Sequence, residues 1–299
     1  MKKNFNTILV TTDFSEKSLI ALEESFNLAR LTGLKITLFH VIRDSGHSLF
    51  SMFDGEKSSS VVKEYEDRFR AELVKVADEA AKRSGITINP VISSGKEYDK
   101  ILKASELLES KFIMMGLNSE PIEADKRMMG SVSGRVIRRA KCPVITINNK
   151  HNYDGCRSIL LPLDLTVDTR QKVSNAIEIA KLFNSQIKII SVLLSPGDKT
   201  IESKLKQQLK QAEKVVLESG LECSAELIPK KPDHKSPACS ILAYADEQGD
   251  IDLIMIMTQQ ETGLFEFFIG SSAQEIIRRA KVPVMSIIPK ELGFVTFSH

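Results

Sequence analysis

Short apolar runs, mostly β-branched and without polar alternation, recur through the first half of the chain: Ile8–Thr11, Ile36–Val41, Ile86–Ile92, Phe112–Met115 and Val144–Ile147. Runs of this kind predict strands buried on both faces of a sheet. Between them lie longer stretches with apolar residues at i, i+3 and i+4: Ser18–Leu31, Val61–Arg83, Tyr98–Leu108 and Ser133–Ala140. That spacing predicts amphipathic helices. Five strands alternating with four helices imply a parallel sheet with right-handed crossovers and helices on both faces. Such a sheet takes ligands at the carboxyl ends of its strands, where strand order reverses.

The pattern then repeats. ILVTTDFS from Ile8 overlies ILLPLDLT from Ile159 at an offset of 151 residues, and the same offset aligns Glu24–Val41 with Asn175–Val192. Further on, GSVSGRVIRRAKCPVITI from Gly130 overlies GSSAQEIIRRAKVPVMSI from Gly270, now at an offset of 140, with ten of eighteen positions identical. Two unrelated amphipathic helices would not place Gly-Ser and IRRAK-x-PV in one register. The chain is therefore an internal duplication, with domains at residues 1–150 and 156–290 and HNYDGC, His151–Cys156, as the linker. The first half carries an extra Ser/Gly-rich stretch, IRDSGHSLFSMFDGEKSSS, which ends at Ser60 and reads as a surface loop. In the second half KKPDHKSP, Lys230–Pro237, compensates in part, and Ile201–Glu218 is the long charged helix.

Composition narrows the class. Of 299 residues, 42% are hydrophobic and 27% charged, the balance of an ordinary globular chain of about two domains. The 41 basic and 39 acidic residues are interspersed, giving a formal charge of +2, so no basic field suited to nucleic acid or an anionic membrane is present. Cys142, Cys156, Cys223 and Cys239 form no CxxC pair and have no histidine at zinc-ligand spacing, so they read as reduced, mostly buried small hydrophobes. No secretory leader and no apolar run of membrane-spanning length is evident, which leads to the expectation of a cytoplasmic protein.

Three segments of the first half converge on the carboxyl edge. After the first strand comes Thr11-Thr12-Asp13-Phe14-Ser15, in which Asp13 or Ser15 can cap the following helix. His40-Val41 ends the second strand; a lone histidine there is more often packed than a metal ligand. Gly116-Leu117-Asn118-Ser119 is followed, ten residues later, by Gly130-Ser131-Val132-Ser133 at a helix start. Glycines admit close backbone approach, and a helix start presents unpaired N–H groups, so a phosphate suits this segment. A turn glycine and a capping serine would account for Gly130 and Ser131 equally. Neither GxxxxGK[ST] nor GxGxxG is present, and no repeated nucleophile and base occur together, which argues against an enzyme. The pairs Arg138-Arg139 and Arg278-Arg279 fall late in their helices, where cations suit the dipole, and read as solvated structural charges.

With ILVTTDFSEKSLIALEESFNLARLTGLKITLFHVI, FIMMGLNSE and GSVSGRVIRRAKCPVITI in this order, the first half resembles the universal stress protein (UspA-like) family. Through ILLPLDLT, IKIISV, DLIMIM and GSSAQEIIRRAKVPVMSI the second half resembles it too. The resemblance implies two tandem α/β domains. Each would be a doubly wound, parallel five-stranded sheet of order 3-2-1-4-5, like that of the adenine nucleotide alpha hydrolases, paired through its last strand into an intramolecular pseudo-dimer. Family members that bind ATP carry Gly-x2-Gly-x9-Gly-Ser/Thr, an aspartate after the first strand and a valine after the second. Carried over, these roles fall on Asp13, Val41, Gly116, Gly130, Ser131 and Ser133, with backbone contacts at Thr12, Asn118 and Val132. Ser119 replaces the second glycine and ten residues precede Gly130. In the second half Asp164 and Val192 remain, but Met257 and Gln260 stand where the leading glycines belong. The resemblance thus implies a non-enzymatic stress-response regulator with ATP or a related adenine nucleotide, accompanied by Mg2+, in the first half. An unidentified protein partner and a homodimer stay open, as do a nucleotide-independent scaffold and a slow ATP hydrolase.

Overall fold

The computed structural model describes residues 6–43, 57–117, 132–151, 154–165, 169–195, 197–260 and 267–289. The first half runs β1 (Thr7–Thr11), α1 (Glu16–Thr32), β2 (Lys35–Ile42), α2 (Lys57–Ser84), β3 (Ile88–Ser94), α3 (Glu97–Leu107), β4 (Ser110–Gly116), α4 (Val132–Arg139) and β5 (Val144–Ile147). The second half repeats it as β6 (Ser158–Pro162), α5 (Thr169–Phe183), β7 (Gln186–Leu193), α6 (Lys199–Glu218), β8 (Cys223–Pro229), α7 (Pro237–Gln248), β9 (Leu253–Met257), α8 (Ser271–Arg279) and β12 (Val284–Ile287). A short ribbon, β10 (Gln259–Gln260) with β11 (Phe267–Phe268), precedes α8.

Each half has the strand order expected of it, 3-2-1-4-5, and the two join into one sheet ordered β3-β2-β1-β4-β5-β12-β9-β6-β7-β8. Within this sheet all pairings inside a half are parallel. The joint between β5 and β12 is antiparallel, with Ile145 opposite Met285. Both are buried, and every residue of their two strands is buried, so exposing this edge to water would be costly. Pairing through the last strands is thus intramolecular, as the duplication implies.

Because every central strand is covered on both faces, its residues divide between two cores. Ile8 and Val10 of β1 face a layer that includes Leu22 of α1, Leu73 of α2, Val173 of α5 and Leu209 of α6. Leu9 faces the opposite layer, with Ile101 of α3, Val136 of α4, Ile241 of α7 and Ile277 of α8. Each layer therefore spans both domains. Phe112 on β4 and Phe183 on α5 meet across the junction, ring centroids 6.1 Å apart.

Several boundaries differ from the sequence reading by one to four residues, among them those at β3 and α2. The third strand starts at Ile88, because Gly85 takes a left-handed turn (φ 71°) after α2. The Ser/Gly-rich insert does not extend to Ser60, since α2 begins at Lys57. The rest of that insert, 44–56, lies outside the described residues. Among the cysteines, all four are free, but only Cys156 is buried; the other three are partly exposed.

Candidate functional site

The turn after β1 is built by local hydrogen bonds. Ser15 is the N-cap of α1, accepting from the Ser18 amide at 3.4 Å. Its own amide and hydroxyl donate to Asp13 Oδ1, at 3.0 and 2.5 Å. Of the two capping candidates, Ser15 therefore caps, and Asp13 braces the turn one step earlier. Partial burial pushes the Asp13 carboxyl up, but the Ser15 and Ser18 hydrogen bonds outweigh it and hold its pKa below the usual carboxylate value. Asp13 is exposed at the carboxyl edge, where β1 lies between β2 and β4.

Thr12 beside it is buried and fully engaged. Its amide donates to the Phe39 carbonyl at 2.9 Å. Its hydroxyl meets Ser18 Oγ at 3.0 Å and accepts from the Phe14 amide at 3.0 Å. Its carbonyl lies 2.8 Å from His40 Nδ1. What remains to Thr12 for a ligand is one carbonyl lone pair. Phe14 then turns the chain with φ 65°, a left-handed conformation that costs a bulky residue about 1–3 kcal/mol. His40 is packed, as a lone histidine at a strand end would be, and among the described residues no group of His, Cys, Asp and Glu is arranged to hold a metal ion.

Val41 is buried at the end of β2 on the α3/α4 face, and Val132 and Ser133 open α4, both partly exposed. Behind that helix start, Arg135 lies over the Tyr98 ring at 4.8 Å and Arg139 at 5.8 Å. Arg139 is exposed, whereas Arg138 is half-buried and less solvated than the sequence suggests. Asn118, Gly130 and Ser131 lie outside the described residues.

Gly116 is explained by packing. A Cβ placed there would sit 2.2 Å from the Lys17 carbonyl oxygen and 2.7 Å from the Ser18 amide nitrogen, both backbone atoms of the first turn of α1. The close approach that the sequence assigns to an anion is made by the protein's own helix. Lys17 also reaches across the sheet end, its Nζ 2.5 Å from the Asn148 carbonyl oxygen. The Asn148 side chain in turn donates to the carbonyls of Ile277 (2.7 Å) and Ala280 (3.1 Å), closing the C-terminus of α8 in the other domain.

The second cleft keeps the backbone plan and changes the chemistry. Ser191 Oγ donates to the Leu163 carbonyl at 2.9 Å, as His40 does to Thr12. Asp164 stands where Asp13 does, but Lys172 Nζ is 2.6 Å from its Oδ1, and the lysine side chain is only 9% exposed. In the repeat register Lys172 corresponds to Ala21 of the first half, which is fully buried. Met257, at the register of Gly116, is buried. The ribbon β10–β11 follows, with β11 packed against α4 of the first domain. Lys172 and Phe14 are the site residues that sequence reasoning missed; the Ala21/Lys172 difference in the aligned repeat is a signal for the first, and nothing local marks the second.

Two doubly wound α/β halves fused edge to edge into one ten-stranded sheet, each with an aspartate after its first strand, define a tandem α/β protein. The chain belongs to the universal stress protein family, whose model matches residues 4–148 and again 155–287. It is similar to a universal stress protein of Methanocaldococcus jannaschii, 26% identical over 163 residues that cover 51% of this chain and all of that one. Among solved structures, a universal stress protein from Archaeoglobus fulgidus aligns over 96% of this chain and 97% of that one, with 24% identity and a TM-score of 0.71. Another from A. fulgidus, in complex with dAMP, covers 44% of this chain and 97% of its own at 23% identity and a TM-score of 0.37. Among the described residues no helix is long and apolar enough to cross a membrane.

Proposed function

We propose that this chain is a non-catalytic stress-response protein that binds an adenine nucleotide in its first cleft and uses its second domain as a structural partner. The observation that carries the reading is the difference between the two aspartates. Asp13 presents an exposed carboxylate, held below the usual pKa range and braced by Ser15, at the point where strand order reverses. An ionised, oriented carboxylate accepts hydrogen bonds from sugar hydroxyls. Asp164 is already committed to Lys172, so it offers less to a ligand.

The residues present fit the sugar side of a nucleotide: Asp13 to accept from ribose and Val41 to border the base. Val132 and Ser133, at the start of α4, would offer backbone amides to a phosphate. Gly116 adds no support, because helix α1 accounts for it. A nucleotide would bring its phosphates and any Mg2+. The protein would orient the ligand, and among the described residues no side chain beside the cleft forms a nucleophile–base pair that would turn it over.

Titration of the full chain with Mg-ATP and with dAMP tests this. Saturable binding by wild type, lost in Gly130→Asp, is the expected result. An absence of binding at millimolar nucleotide would favour a scaffold role, and phosphate release that disappears in Gly130→Asp would favour a hydrolase.

A further inference from the structure

The turn that presents Asp13 is built around a residue in an unfavourable conformation, and its support differs between the halves. Among the described residues only Phe14, Glu109 and Asn184 are non-glycine residues with positive φ, and of these only Phe14 borders the cleft. The Phe14 ring lies 4.6 Å from the His40 ring and 5.9 Å from Phe69 of α2. His40 and Phe69 are stacked, 5.1 Å apart and 20° from parallel. His40 is 7% exposed, and its Nδ1 faces the Thr12 carbonyl oxygen at 2.8 Å. A carbonyl can only accept, so Nδ1 carries the proton.

The second domain retains the hydrogen bond and dispenses with the rings. Ser191 donates to the matching carbonyl of Leu163, and Leu165, at the register of Phe14, is half-exposed with no left-handed φ. A hydroxyl therefore suffices to tie this turn to its neighbouring strand. The imidazole and the two phenyl rings of the first domain hold something more than the tie, namely Phe14 at φ 65° one residue after Asp13.

We propose that His40 is a positioning residue: together with Phe69 it clamps Phe14 in the left-handed conformation and so presets the Asp13 carboxylate for a sugar hydroxyl of the bound nucleotide. It acts through the turn and does not touch the ligand. The proposal rests on the reading of the first cleft as a nucleotide site.

The test is calorimetric titration of the full chain with Mg-ATP, comparing wild type, His40→Ser, Phe14→Gly and the double variant. His40→Ser copies the donor of the second domain, so the fold and the tie to Thr12 persist. Loss of the clamp then weakens ATP binding about tenfold, the scale of one strained residue released. Glycine adopts positive φ without support, so Phe14→Gly in the His40→Ser background restores most of the affinity. The double variant has lost still more packing and unfolds at a lower denaturant concentration than His40→Ser. Tighter binding from a less stable protein is an outcome that a purely structural role for His40 would not give. If wild type binds and His40→Ser binds equally well, or if the double variant binds no better than His40→Ser, the inference is overturned and the nucleotide reading stands. If wild type does not bind, the nucleotide reading fails and this inference fails with it.

Discussion

Lys172 Nζ lies 2.6 Å from Asp164 Oδ1, whereas at the same register beside Asp13 the chain has Ala21. Duplication gave both domains the aspartate, and among the described residues the second pairs it with a lysine. The ammonium is nearly buried while the carboxylate remains half-exposed, so the two partners depend on the pair unequally.

That inequality has a measurable sign. Removing Asp164 takes its carboxylate from the nearly buried Lys172 ammonium and is expected to be the more costly of the two changes. Lys172→Ala leaves a carboxylate that water can reach, at about 1 kcal/mol. Urea unfolding of Asp164→Ala and Lys172→Ala checks the order; equal losses would mean that the pair is solvated.

Gly116→Ala is expected to destabilise by about 3 kcal/mol or more, because the new Cβ meets backbone that cannot swing aside. Gly33→Ala, in a left-handed C-cap with open space around it, should cost about 1 kcal/mol. If Gly116→Ala loses nucleotide binding while its unfolding midpoint is unchanged, the glycine serves the ligand and the packing account is wrong.

Asn148 ties the first domain to the C-terminus of α8 with two donated hydrogen bonds. Asn148→Ala should cost about 2 kcal/mol through the carbonyls it leaves bare. Asn148→Asp should cost more than alanine, since a carboxylate donates nothing and meets the negative end of the helix dipole. Chemical denaturation of both variants ranks them; a less damaging aspartate would show that the side chain is not a cap.

Burial raises the Asp252 carboxyl, but the His151 ring, its Nε2 3.7 Å from Oδ1, and hydrogen bonds from the amides of Arg157 and Ser158 outweigh it, so its pKa lies below the ordinary value. A depressed carboxylate contributes stability that is fully present above its unfolded pKa of about 3.9 and is lost as pH falls through the folded value. Wild type should be more stable than Asp252→Asn at neutral pH, and the difference should shrink below about pH 4. A constant difference across that range would remove Asp252 from the acid response.

Three of the four thiols should separate by reactivity. Burial pushes Cys156 and Cys223 up to about 12. The Ser236 hydroxyl lowers Cys239, with help from Arg279 and against some desolvation. Iodoacetamide at about pH 8 should label Cys239 before either of them, as peptide mass spectrometry would record; earlier labelling of Cys223 would contradict the order.

The architecture was legible in the sequence because it follows from pattern. Ile8–Thr11 and Val144–Ile147 read as doubly buried strands, and the repeated IRRAK-x-PV run fixes which strand ends each half. The chemistry of the cleft was less legible, since it depends on contacts between distant positions. Nothing near Gly116 signals that its space is filled by the Lys17 carbonyl, a hundred residues away. Phe14 carries no local mark of a left-handed backbone, because His40 and Phe69 impose that conformation from two other elements. Lys172 could have been noticed by comparing the halves, but only its geometry tells a buried counter-ion from a solvated helix lysine.

The central claim, that only the first cleft takes a nucleotide, is tested most directly by the stoichiometry of Mg-ATP binding to Asp13→Ala and Asp164→Ala beside wild type. The account predicts one site per chain in wild type, weakened strongly in Asp13→Ala and retained in Asp164→Ala. Two sites in wild type, or a single site lost in Asp164→Ala and kept in Asp13→Ala, would contradict it.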